Sequence, residues 1–382
     1  MGWRPRVLQL GKFYAPVHGG METYVQQLSE GLRAGVEVEV VVANLTAQTE
    51  RTVVNGVPVT RLGARARLRS QPLLPGVWAA LRGARADVVH LHAPHPLMEL
   101  ALLTSSLRRR SRLVVTWHSD VVRQQWLGAL HRPIARRLAA EADAICIPTP
   151  AHIGASQILP AVAGKCTVCP FGVDLPIAEP AAVTAVRAQY GPLPLVTAVG
   201  RLVDYKGFDV LIDAMVGVPA TALIIGAGPK RAALARQIEQ RGLSGRVHLL
   251  GEQPDLSRFL AASQLFVLPS RGRNEMCGIV QLEAMAQRVA VISTRLGTGV
   301  EWVNRDGETG VIVSPDDPLA LRAAITALLA DDDRRRALGR AGRARVEREF
   351  TVPQATTAVL RVYERVLGVE LVAREGLAAR VA

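Results

Sequence analysis

The chain has 382 residues, of which 49 % are hydrophobic, and its formal net charge is +13. This length predicts two domains, and because no apolar run of about 18 residues occurs, the sequence predicts no membrane span. Four cysteines are too few for a disulfide framework, so we expect a cytoplasmic protein. The positive charge suits phosphate-rich substrates, an anionic membrane or nucleic acid. Nucleic acid is disfavoured, because the sequence has no recognition helix, zinc finger or aromatic platform.

Apolar runs typical of strands alternate with helical stretches along the whole chain. The predicted strands of the first half are 7–10, 36–42, 57–62, 88–92, 113–117, 144–147, 166–169 and 170–174. Those of the second half are 195–199, 222–225, 247–250, 265–268, 289–293 and 310–313. The main predicted helices are 22–33, 230–241, 320–330, 334–348 and 353–366. This alternation predicts an α/β fold with two parallel sheets and right-handed helical crossovers.

The Pro- and Ala-rich segment Leu175–Ala182 is the best candidate for a linker. We therefore predict a Rossmann-like domain over residues 1–174 and a second one over residues 175–352. The stretch 353–382 begins with a long helix that could cap the second domain or cross back to the first. We expect it to pack back onto the first domain.

Gly19 and Gly20 lie between the first strand and the helix that follows it. Paired glycines at that point let backbone N–H groups approach an anion, and the helix dipole favours negative charge there. The alternative is a plain connecting loop. The dinucleotide fingerprint G-x-G-x-x-G is absent, which argues against a nicotinamide-dependent oxidoreductase.

Arg201 and Lys206 lie five residues apart on the loop after predicted strand 195–199. In open α/β sheets this edge is where ligands bind. Lys206 is one of only four lysines in a chain whose usual cation is arginine. A compact ammonium suits phosphate as a point charge, so we favour phosphate binding over a pair of solvated surface cations. Gly297 and Thr298 precede a short predicted helix and offer a second helix N-terminus for an anion.

Glu275 and Glu283 are two carboxylates at either end of a mostly apolar segment. Glu275 is predicted on the loop after strand 265–268, and Glu283 about one turn inside the following helix. Both would therefore lie at the ligand-binding edge of the second sheet. They could act as a general acid and base, or they could bind the hydroxyl groups of a ligand.

His118 follows predicted strand 113–117 at the corresponding edge of the first sheet. It could hydrogen-bond a sugar hydroxyl or simply be packed, and Asp120 could orient its imidazole or hold an acceptor. His90, His92 and His95 indicate a metal site only weakly, because proline interrupts their spacing.

The Gly19-Gly20 pair, the Arg201-to-Lys206 loop and the Glu275-to-Glu283 segment follow one another in a recognisable order. In this the chain resembles, over nearly its whole length, the family-4 retaining glycosyltransferases of the GT-B fold. The combination of R-x4-K with E-x7-E is far more specific than either part. The segment from Trp117 to Arg123, WHSDVVR, is further similar to the bacterial subgroup that builds O-antigens, capsules and exopolysaccharides.

The resemblance implies a role for each candidate residue. Two Rossmann-like domains would face a central interdomain cleft, the first binding the acceptor and the second the nucleotide-sugar. The implied contacts are Arg201, Lys206, Gly297 and Thr298 with the diphosphate, Gly19 and Gly20 over the phosphates, Glu283 with the ribose, Glu252 and Gln253 with the base, Glu275, Met276, Cys277 and Gly278 with the donor sugar, His118 with the sugar near the reacting carbon, and Asp120 with the acceptor. Neither a metal nor a cofactor is implied, since fixed cations stabilise the leaving group. The leaving phosphate would take the acceptor's proton, giving front-face attack and retained configuration.

Two positions depart from the family pattern. Cys277 replaces the phenylalanine common before Gly278, and we expect altered packing behind the sugar. Gln287 and Arg288 replace the Cys-Gly common after the E-x7-E helix, at a remote point. Both departures bear more on donor identity than on activity.

The subgroup favours a GDP-linked, mannose-like donor, with UDP-sugars close behind. The acceptor would be a saccharide or a polyprenyl-diphosphate-linked saccharide in cell-surface polysaccharide synthesis. Two alternatives of the same fold are a non-catalytic nucleotide-sugar-binding protein and a nucleotide-sugar 2-epimerase. The epimerase is expected to carry different acids and histidines.

Basic segments of the first domain suggest a peripheral contact with the inner face of the plasma membrane. They are Arg61–Arg69, with Leu62, Leu68, Leu73 and Leu74 nearby, Arg108–Arg110 and Arg132–Arg137. Polybasic segments gain about 1 kcal/mol per charge near anionic lipid. The alternative is a set of scattered, solvated arginines.

Overall fold

The computed structural model describes residues 3–17, 19–68, 71–120 and 125–371. The chain divides into two compact units, one formed by Met1–Gly172 with Val352–Ala382 and the other by Val173–Thr351. Each unit is built around its own parallel-dominated sheet.

The part of the first unit that precedes the second unit in sequence forms an eight-stranded sheet and a separate hairpin. The strands are β1 (Arg6–Leu10), β2 (Glu37–Ala43), β3 (Glu50–Val54), β4 (Val57–Leu62), β5 (Ala66–Leu68), β6 (Gln71–Leu73), β7 (Val88–Ala93), β8 (Arg112–Trp117), β9 (Ala144–Ile147) and β10 (Cys166–Val168). The helices are α1 (Gly20–Leu32), α2 (Val77–Gly83), α3 (Pro96–Thr104), α4 (Gln125–Glu141) and α5 (Ala151–Ala155). The sheet order is β10-β9-β8-β7-β1-β2-β4-β3, and only β3 runs antiparallel to its neighbour.

The second unit forms a six-stranded parallel sheet. Its strands are β11 (Leu195–Val199), β12 (Thr221–Ile225), β13 (Val247–Gly251), β14 (Leu265–Leu268), β15 (Ala290–Thr294) and β16 (Gly310–Val313). Its helices are α6 (Pro180–Tyr190), α7 (Phe208–Ala214), α8 (Arg231–Gln240), α9 (Ser257–Ala262), α10 (Ile279–Ala286), α11 (Val300–Val303), α12 (Pro318–Ala330) and α13 (Asp332–Glu349). The order is β13-β12-β11-β14-β15-β16.

Helix α14 (Val352–Leu367) follows the second unit in the chain but packs against α1, β8 and β9 of the first. It buries one apolar face, which includes Val359, Leu360 and Tyr363. The approach to α1 is close, because a Cβ on Gly31 would lie 2.4 Å from Thr356 Oγ1. Glycine at position 31 therefore lets the two helices meet.

Both sheets have a point at which the strand order reverses. In the first unit β1 lies between β2 and β7, and in the second β11 lies between β12 and β14. Crevices outside the carboxyl ends of strands at such points are the usual ligand sites of open α/β sheets. In the second unit this point brings together the loops after β11 and β14.

The predicted strands correspond to observed ones with one exception. Residues 170–174 were expected to be extended in a strand, but only an isolated bridge between Val173 and Thr351 is present. Strand β3 and the β5–β6 hairpin are present in addition to the predicted strands. Asn55 and Gly56 between β3 and β4 both have positive φ, 49° and 77°, and an Asn-Gly pair between apolar residues is a hairpin signal that was available. The end of the expected linker, from Pro180, is the first turn of α6.

Two leucines near the first basic segment do not face lipid as expected. Leu62 and Leu74 are core residues, 4 % and 1 % exposed, so the expectation that they flank a membrane contact is wrong. Arg61 donates to Thr52 Oγ1 at 2.5 Å and to the carbonyl of Ala15. The side chains of residues 67–70 lie outside the described part. In the described ranges no helix has both the length and the hydropathy needed to cross a bilayer.

Candidate active site

In the second unit, the loops after β11 and β14 touch each other at Gly207. This glycine has φ of 66°, and a Cβ there would lie 2.0 Å from the carbonyl oxygen of Pro269. Gly200, at the start of the same loop, has φ of 153°, and a Cβ there would lie 3.1 Å from Lys206 Cε. Residues without a side chain at both positions therefore let Lys206 fold back over the end of the sheet.

Lys206 and Glu275 form a buried ion pair. Their side chains meet at 2.5 Å between Nζ and Oε2, and the two residues are 9 % and 7 % exposed. Ser270 Oγ donates to the same carboxylate oxygen at 2.8 Å. Burial alone would lower the pKa of Lys206, but the Glu275 carboxylate outweighs it and the pKa lies above its ordinary value. The protonated ammonium of Lys206 is thus held, paired with one carboxylate, at the carboxyl ends of the central strands.

The loop from Glu275 to Gly278 is held by hydrogen bonds from its neighbours. Thr298 Oγ1 donates to the Glu275 carbonyl at 2.8 Å, and the Gly299 amide donates to the Met276 carbonyl at 2.8 Å. Gly278 ends the loop with φ of 64°, and a Cβ there would lie 2.6 Å from Leu268 Cδ2. The loop therefore has one well-defined shape in which Glu275 points at Lys206.

Two positions near this loop that depart from the family pattern, Cys277 and Arg288, have well-defined conformations. Cys277 is 5 % exposed, and its carbonyl accepts from Gln281 Nε2 at 2.7 Å. Arg288 adopts φ of 60°, the left-handed conformation that glycine would adopt more readily. That position lies after α10 and away from the ion pair in sequence.

Arg201 and Arg271 are the arginines of the same two loops, and they differ in availability. The exposed Arg201 guanidinium has no ion pair or side-chain hydrogen bond among the described residues. Arg271, which the sequence reading overlooked, bonds Asp209 at 2.6 Å and Asp316 at 2.7 Å. The Arg201 guanidinium is therefore available to a ligand, whereas Arg271 is paired with two carboxylates and Lys206 with one.

The backbone amides of Gly297 and Thr298 already bind a carboxylate. They donate to Oε1 and Oε2 of Glu301, both at 3.0 Å. The acceptor is a side chain from the first turn of α11, so the binding of a ligand's phosphate by these amides stays a prediction. The helix that follows, α11, has only four residues, so its dipole contributes little.

Glu283 and the residues after β13 complete the predicted set in this unit. Glu283 is half-buried in the second turn of α10, where burial, and then the charge of Asp174, raise its pKa to about 7. Glu252 is exposed, whereas Gln253 donates to the Leu250 carbonyl at 3.1 Å. Gln253 thus has a fixed orientation and Glu252 does not.

In the first unit, Gly19 and Gly20 begin α1, and His118 lies beside that helix. The carboxylate of Glu22 lies over the helix start, since a Cβ on Gly19 would be 2.3 Å from Glu22 Oε2. The ring of Tyr24, one turn after Gly20, lies edge-on to His118 at 5.6 Å between centroids. The structure therefore brings the glycine pair and His118 to one end of the first sheet.

Asp120 does not orient His118, which corrects one of the two roles expected for it. Its carboxylate accepts from Trp117 Nε1, Ser156 Oγ and the Gln157 amide, each at 2.8 Å. The ring of His118 is held instead by His92, whose Nδ1 lies 3.2 Å from His118 Nε2. Asp120 therefore fixes the loop after β8.

The other histidines of the sequence motif separate in the structure. His90 and His92 point into a buried hydrogen-bond network, and His95 caps α3 by accepting from the Met98 amide at 3.4 Å. In the part of the chain that the structure describes, no group of three or more His, Cys, Asp or Glu side chains is arranged to hold a metal ion.

Comparisons with known proteins cover both units. The model of the "Glycosyl transferase 4-like domain" matches residues 19–172, and that of "Glycosyl transferases group 1" matches residues 185–345. D-rhamnosyltransferase WbpZ of Pseudomonas aeruginosa is 32 % identical over 91 % of this chain and 92 % of its own length. O-antigen chain mannosyltransferase C of Escherichia coli is 30 % identical over 95 % of this chain and 99 % of its own.

Solved structures agree with the fold. Sucrose-phosphate synthase of Thermosynechococcus elongatus superposes with a TM-score of 0.81 at 23 % identity, over 96 % of this chain and all of that one. HepE of Anabaena, solved with UDP-glucose, gives 0.80 at 20 % identity, over 95 % of this chain and all of that one. The predicted α/β fold of the GT-B type is thereby confirmed.

Proposed function

Because this chain belongs to the group 1 glycosyltransferases, we propose that it moves a hexose from a nucleotide-sugar to a saccharide or lipid-linked saccharide in cell-surface polysaccharide synthesis. Support for the pathway comes from two relatives that match nearly end to end, a rhamnosyltransferase and an O-antigen mannosyltransferase. The mannosyltransferase favours a mannose-like donor, and the resemblance to the O-antigen subgroup favours a GDP link. HepE, which was solved with UDP-glucose, keeps a UDP-sugar as the second candidate.

The observation that carries the proposal is the buried Lys206–Glu275 pair with Arg201 beside it. Breaking the bond between the sugar and the diphosphate leaves negative charge on the phosphate and positive charge on the sugar ring. Lys206 and Arg201 would stabilise the former, and fixed charges aimed at developing charge are usually the largest catalytic contribution. Glu275 would bind sugar hydroxyls through the carboxylate oxygen that Ser270 and Lys206 leave free.

The remaining predicted residues would each add a contact of their own. Glu283 would accept hydrogen bonds from the ribose, the Gly297 and Thr298 amides would support phosphate once Glu301 moves aside, and Glu252 and Gln253 would meet the base. Gly19, Gly20 and His118 would act from the first unit, which would bind the acceptor. With Lys206 and Arg201 on the diphosphate, the reaction would need no bound metal. The leaving phosphate would take the proton of the acceptor hydroxyl, which would attack from the same face, so that the configuration of the sugar is retained.

Binding and turnover test the proposal separately. GDP, UDP and ADP are each added to the full chain, and the thermal midpoint is followed. One of them should stabilise the protein, since ligand at a hundredfold excess over Kd contributes about 2.7 kcal/mol. The matching nucleotide-sugar should then release nucleoside diphosphate with EDTA present, and proton NMR of the product linkage should show retention. No stabilisation by any of the three would refute donor binding, and inversion would refute the mechanism.

A second element of the proposal is a contact with anionic membrane through helices α2, α3 and α4. These helices pack side by side. Exposed on them or beside them are Leu73, Trp78 and Leu100, at 43 %, 36 % and 39 %. Exposed arginines of the same group are Arg82, Arg109, Arg110, Arg132, Arg136 and Arg137. Aromatic and aliphatic side chains among arginines match the interfacial region of an anionic bilayer.

Vesicle co-sedimentation tests this surface. The full chain should bind vesicles with anionic lipid and not neutral ones, and Arg132→Glu with Arg136→Glu should weaken binding. The matched control is Arg334→Glu with Arg340→Glu, an equal change of charge at exposed positions of α13. Equal binding to both lipids, or equal loss in the two double variants, would exclude the proposed surface.

A further inference from the structure

A chain of buried hydrogen bonds runs across the first sheet and ends at His118. Gln9 on β1 is completely buried, and its Oε1 lies 2.8 Å from His92 Nε2 on β7. His92 Nδ1 in turn lies 3.2 Å from Nε2 of His118, which follows β8. Two neighbouring strands and the residue after a third thus form a continuous path.

The orientation of the Gln9 amide sets the direction of each hydrogen bond in this path. The amide oxygen of Gln9 can only accept, so His92 Nε2 must carry a hydrogen. Burial, and then His90, lower the pKa of His92 well below its ordinary value, so the ring is neutral and its Nδ1 carries no hydrogen. His118 Nε2 must therefore be the donor to His92 Nδ1.

The other end of Gln9 supports the same direction. Gln9 Nε2 donates to the hydroxyl of Tyr363 on α14 at 3.1 Å. That hydroxyl lies 2.6 Å from His90 Nδ1, and His90 Nε2 lies 2.7 Å from Thr116 Oγ1. With Tyr363 donating to His90 and His90 donating to Thr116, the hydrogen bonds from Gln9 to Thr116 form one consistent series of donors and acceptors. Turning the Gln9 amide round would reverse the whole chain.

The ring of His118 is also held sterically. Phe171 stacks on it with centroids 5.4 Å apart and an angle of 24° between the rings, and Tyr24 meets it edge-on. Burial, and then the neighbouring His92 and His152, lower the pKa of His118 well below its ordinary value. A neutral ring with a hydrogen on Nε2 has a lone pair on Nδ1, and no described residue hydrogen-bonds that atom.

We infer that Gln9 and His92 are positioning residues that hold His118 as the Nε2–H tautomer, so that Nδ1 accepts a hydrogen bond from a hydroxyl of the donor sugar. The sugar contact rests on the proposed function, whereas the tautomer does not. The relay explains why polar residues occupy the interior of β1 and β7, where strands covered on both faces are usually apolar. It also distinguishes His118 from a merely packed histidine.

The tautomer can be read without turnover. The protein is labelled with ¹⁵N-histidine, and the His118 signals are assigned from their loss in His118→Gln. Nitrogen-15 shifts in a long-range ¹H–¹⁵N spectrum distinguish a ring nitrogen that carries hydrogen from one that does not. Hydrogen on Nε2 of His118 and on Nε2 of His92 is the expected result. Hydrogen on Nδ1 of His118, or a mixture of tautomers, overturns the inference.

Variants at Gln9 separate positioning from packing. Gln9→Met keeps the length of the side chain but removes its acceptor, so His118 should become a tautomer mixture, with kcat reduced about tenfold, the worth of one hydrogen bond in the transition state. The KM for the donor should change less. Gln9→Glu keeps an acceptor oxygen toward His92, so it should restore the Nε2–H tautomer of His118, with the Tyr363 hydroxyl then donating to the new carboxylate instead of to His90.

Ser111→Ala is the matched control, because Ser111, itself a buried residue, donates a 2.6 Å hydrogen bond to the Ala86 carbonyl next to the opposite end of β8. It should leave the His118 signals and kcat unchanged. Equal loss of kcat in Ser111→Ala and Gln9→Met would overturn the positioning role. If His118 shows the expected tautomer but His118→Ala retains full turnover, the relay stands and the sugar contact in the proposed function fails.

Discussion

Glu283 lies in the second turn of α10, where burial, and then the charge of Asp174, raise the pKa of its carboxyl from 4.5 to about 7. A group whose pKa is raised by folding stabilises the folded state below its unfolded pKa, and this contribution is lost as the pH rises through the folded value. Each tenfold change in acidity is worth about 1.4 kcal/mol. At pH 8 the ionised Glu283 carboxylate therefore lowers the free energy of unfolding of the second unit by about 3 kcal/mol.

Glu283→Gln should remove this cost, since an amide cannot ionise. The variant should be more stable by about 3 kcal/mol at pH 8 and by about 1 kcal/mol at pH 5, where the wild-type carboxyl is protonated in the folded protein. For a unit of this size the gain at pH 8 corresponds to a rise in Tm of roughly 6–10 °C. Calorimetry at both pH values measures it.

The same substitution should weaken the binding of the nucleotide. A charged acceptor makes a hydrogen bond about twice as strong as a neutral one, so the Kd of the stabilising nucleoside diphosphate should rise about tenfold at pH 8 and less at pH 6. Exposed Glu239→Gln on α8 is the control and should change neither quantity. A variant that is less stable than wild type at pH 8, or equally stabilised at pH 5 and 8, would refute the reasoning.

Three further predictions concern the same unit. Lys206→Ala should lower kcat at least tenfold, and it should lower the unfolding free energy by roughly 3 kcal/mol because Glu275 is left buried without its cation. Adding Glu275→Gln should restore the stability measured in urea but not turnover. Recovery of both would contradict an electrostatic role for Lys206. Gly278→Ala should lower the free energy of unfolding by more than 1 kcal/mol and reduce the affinity for the donor, because the φ of 64° and the contact with Leu268 leave no room for a Cβ. An unchanged Tm in calorimetry together with an unchanged Kd would contradict this. Arg288→Gly should stabilise by about 1 kcal/mol by relieving the left-handed φ of 60° without altering kcat, and a lower urea midpoint would show that the arginine is not strained.

The sequence could predict which edge of the second sheet carries the chemistry. Arg201, Lys206 and Glu275 each follow an apolar strand, and the carboxyl ends of parallel strands lie at one edge. It could not predict that Lys206 and Glu275 are paired, because they belong to different loops and the contact depends on the conformations of Gly200 and Gly207.

In the first unit the sequence identified His118 but not what holds it. Asp120, two residues away, was the natural partner, yet a residue at that spacing is turned toward Trp117 and Ser156. The true partner, His92, is close only because β7 and β8 are neighbours in register, with His92 opposite Thr116. Such contacts depend on strand order, which spacing along the chain does not encode.

Helix α14 has a consequence for the order in which the protein is completed on the ribosome. The second unit is contiguous, and its ends meet where the Val173 amide donates to the Phe350 carbonyl at 2.8 Å, so all of its sheet emerges before α14 does. The first unit must wait for that helix, because Tyr363 fills its interior and bonds Gln9. Although it starts at the beginning of the chain, the first unit is therefore the later one to reach its native core during synthesis.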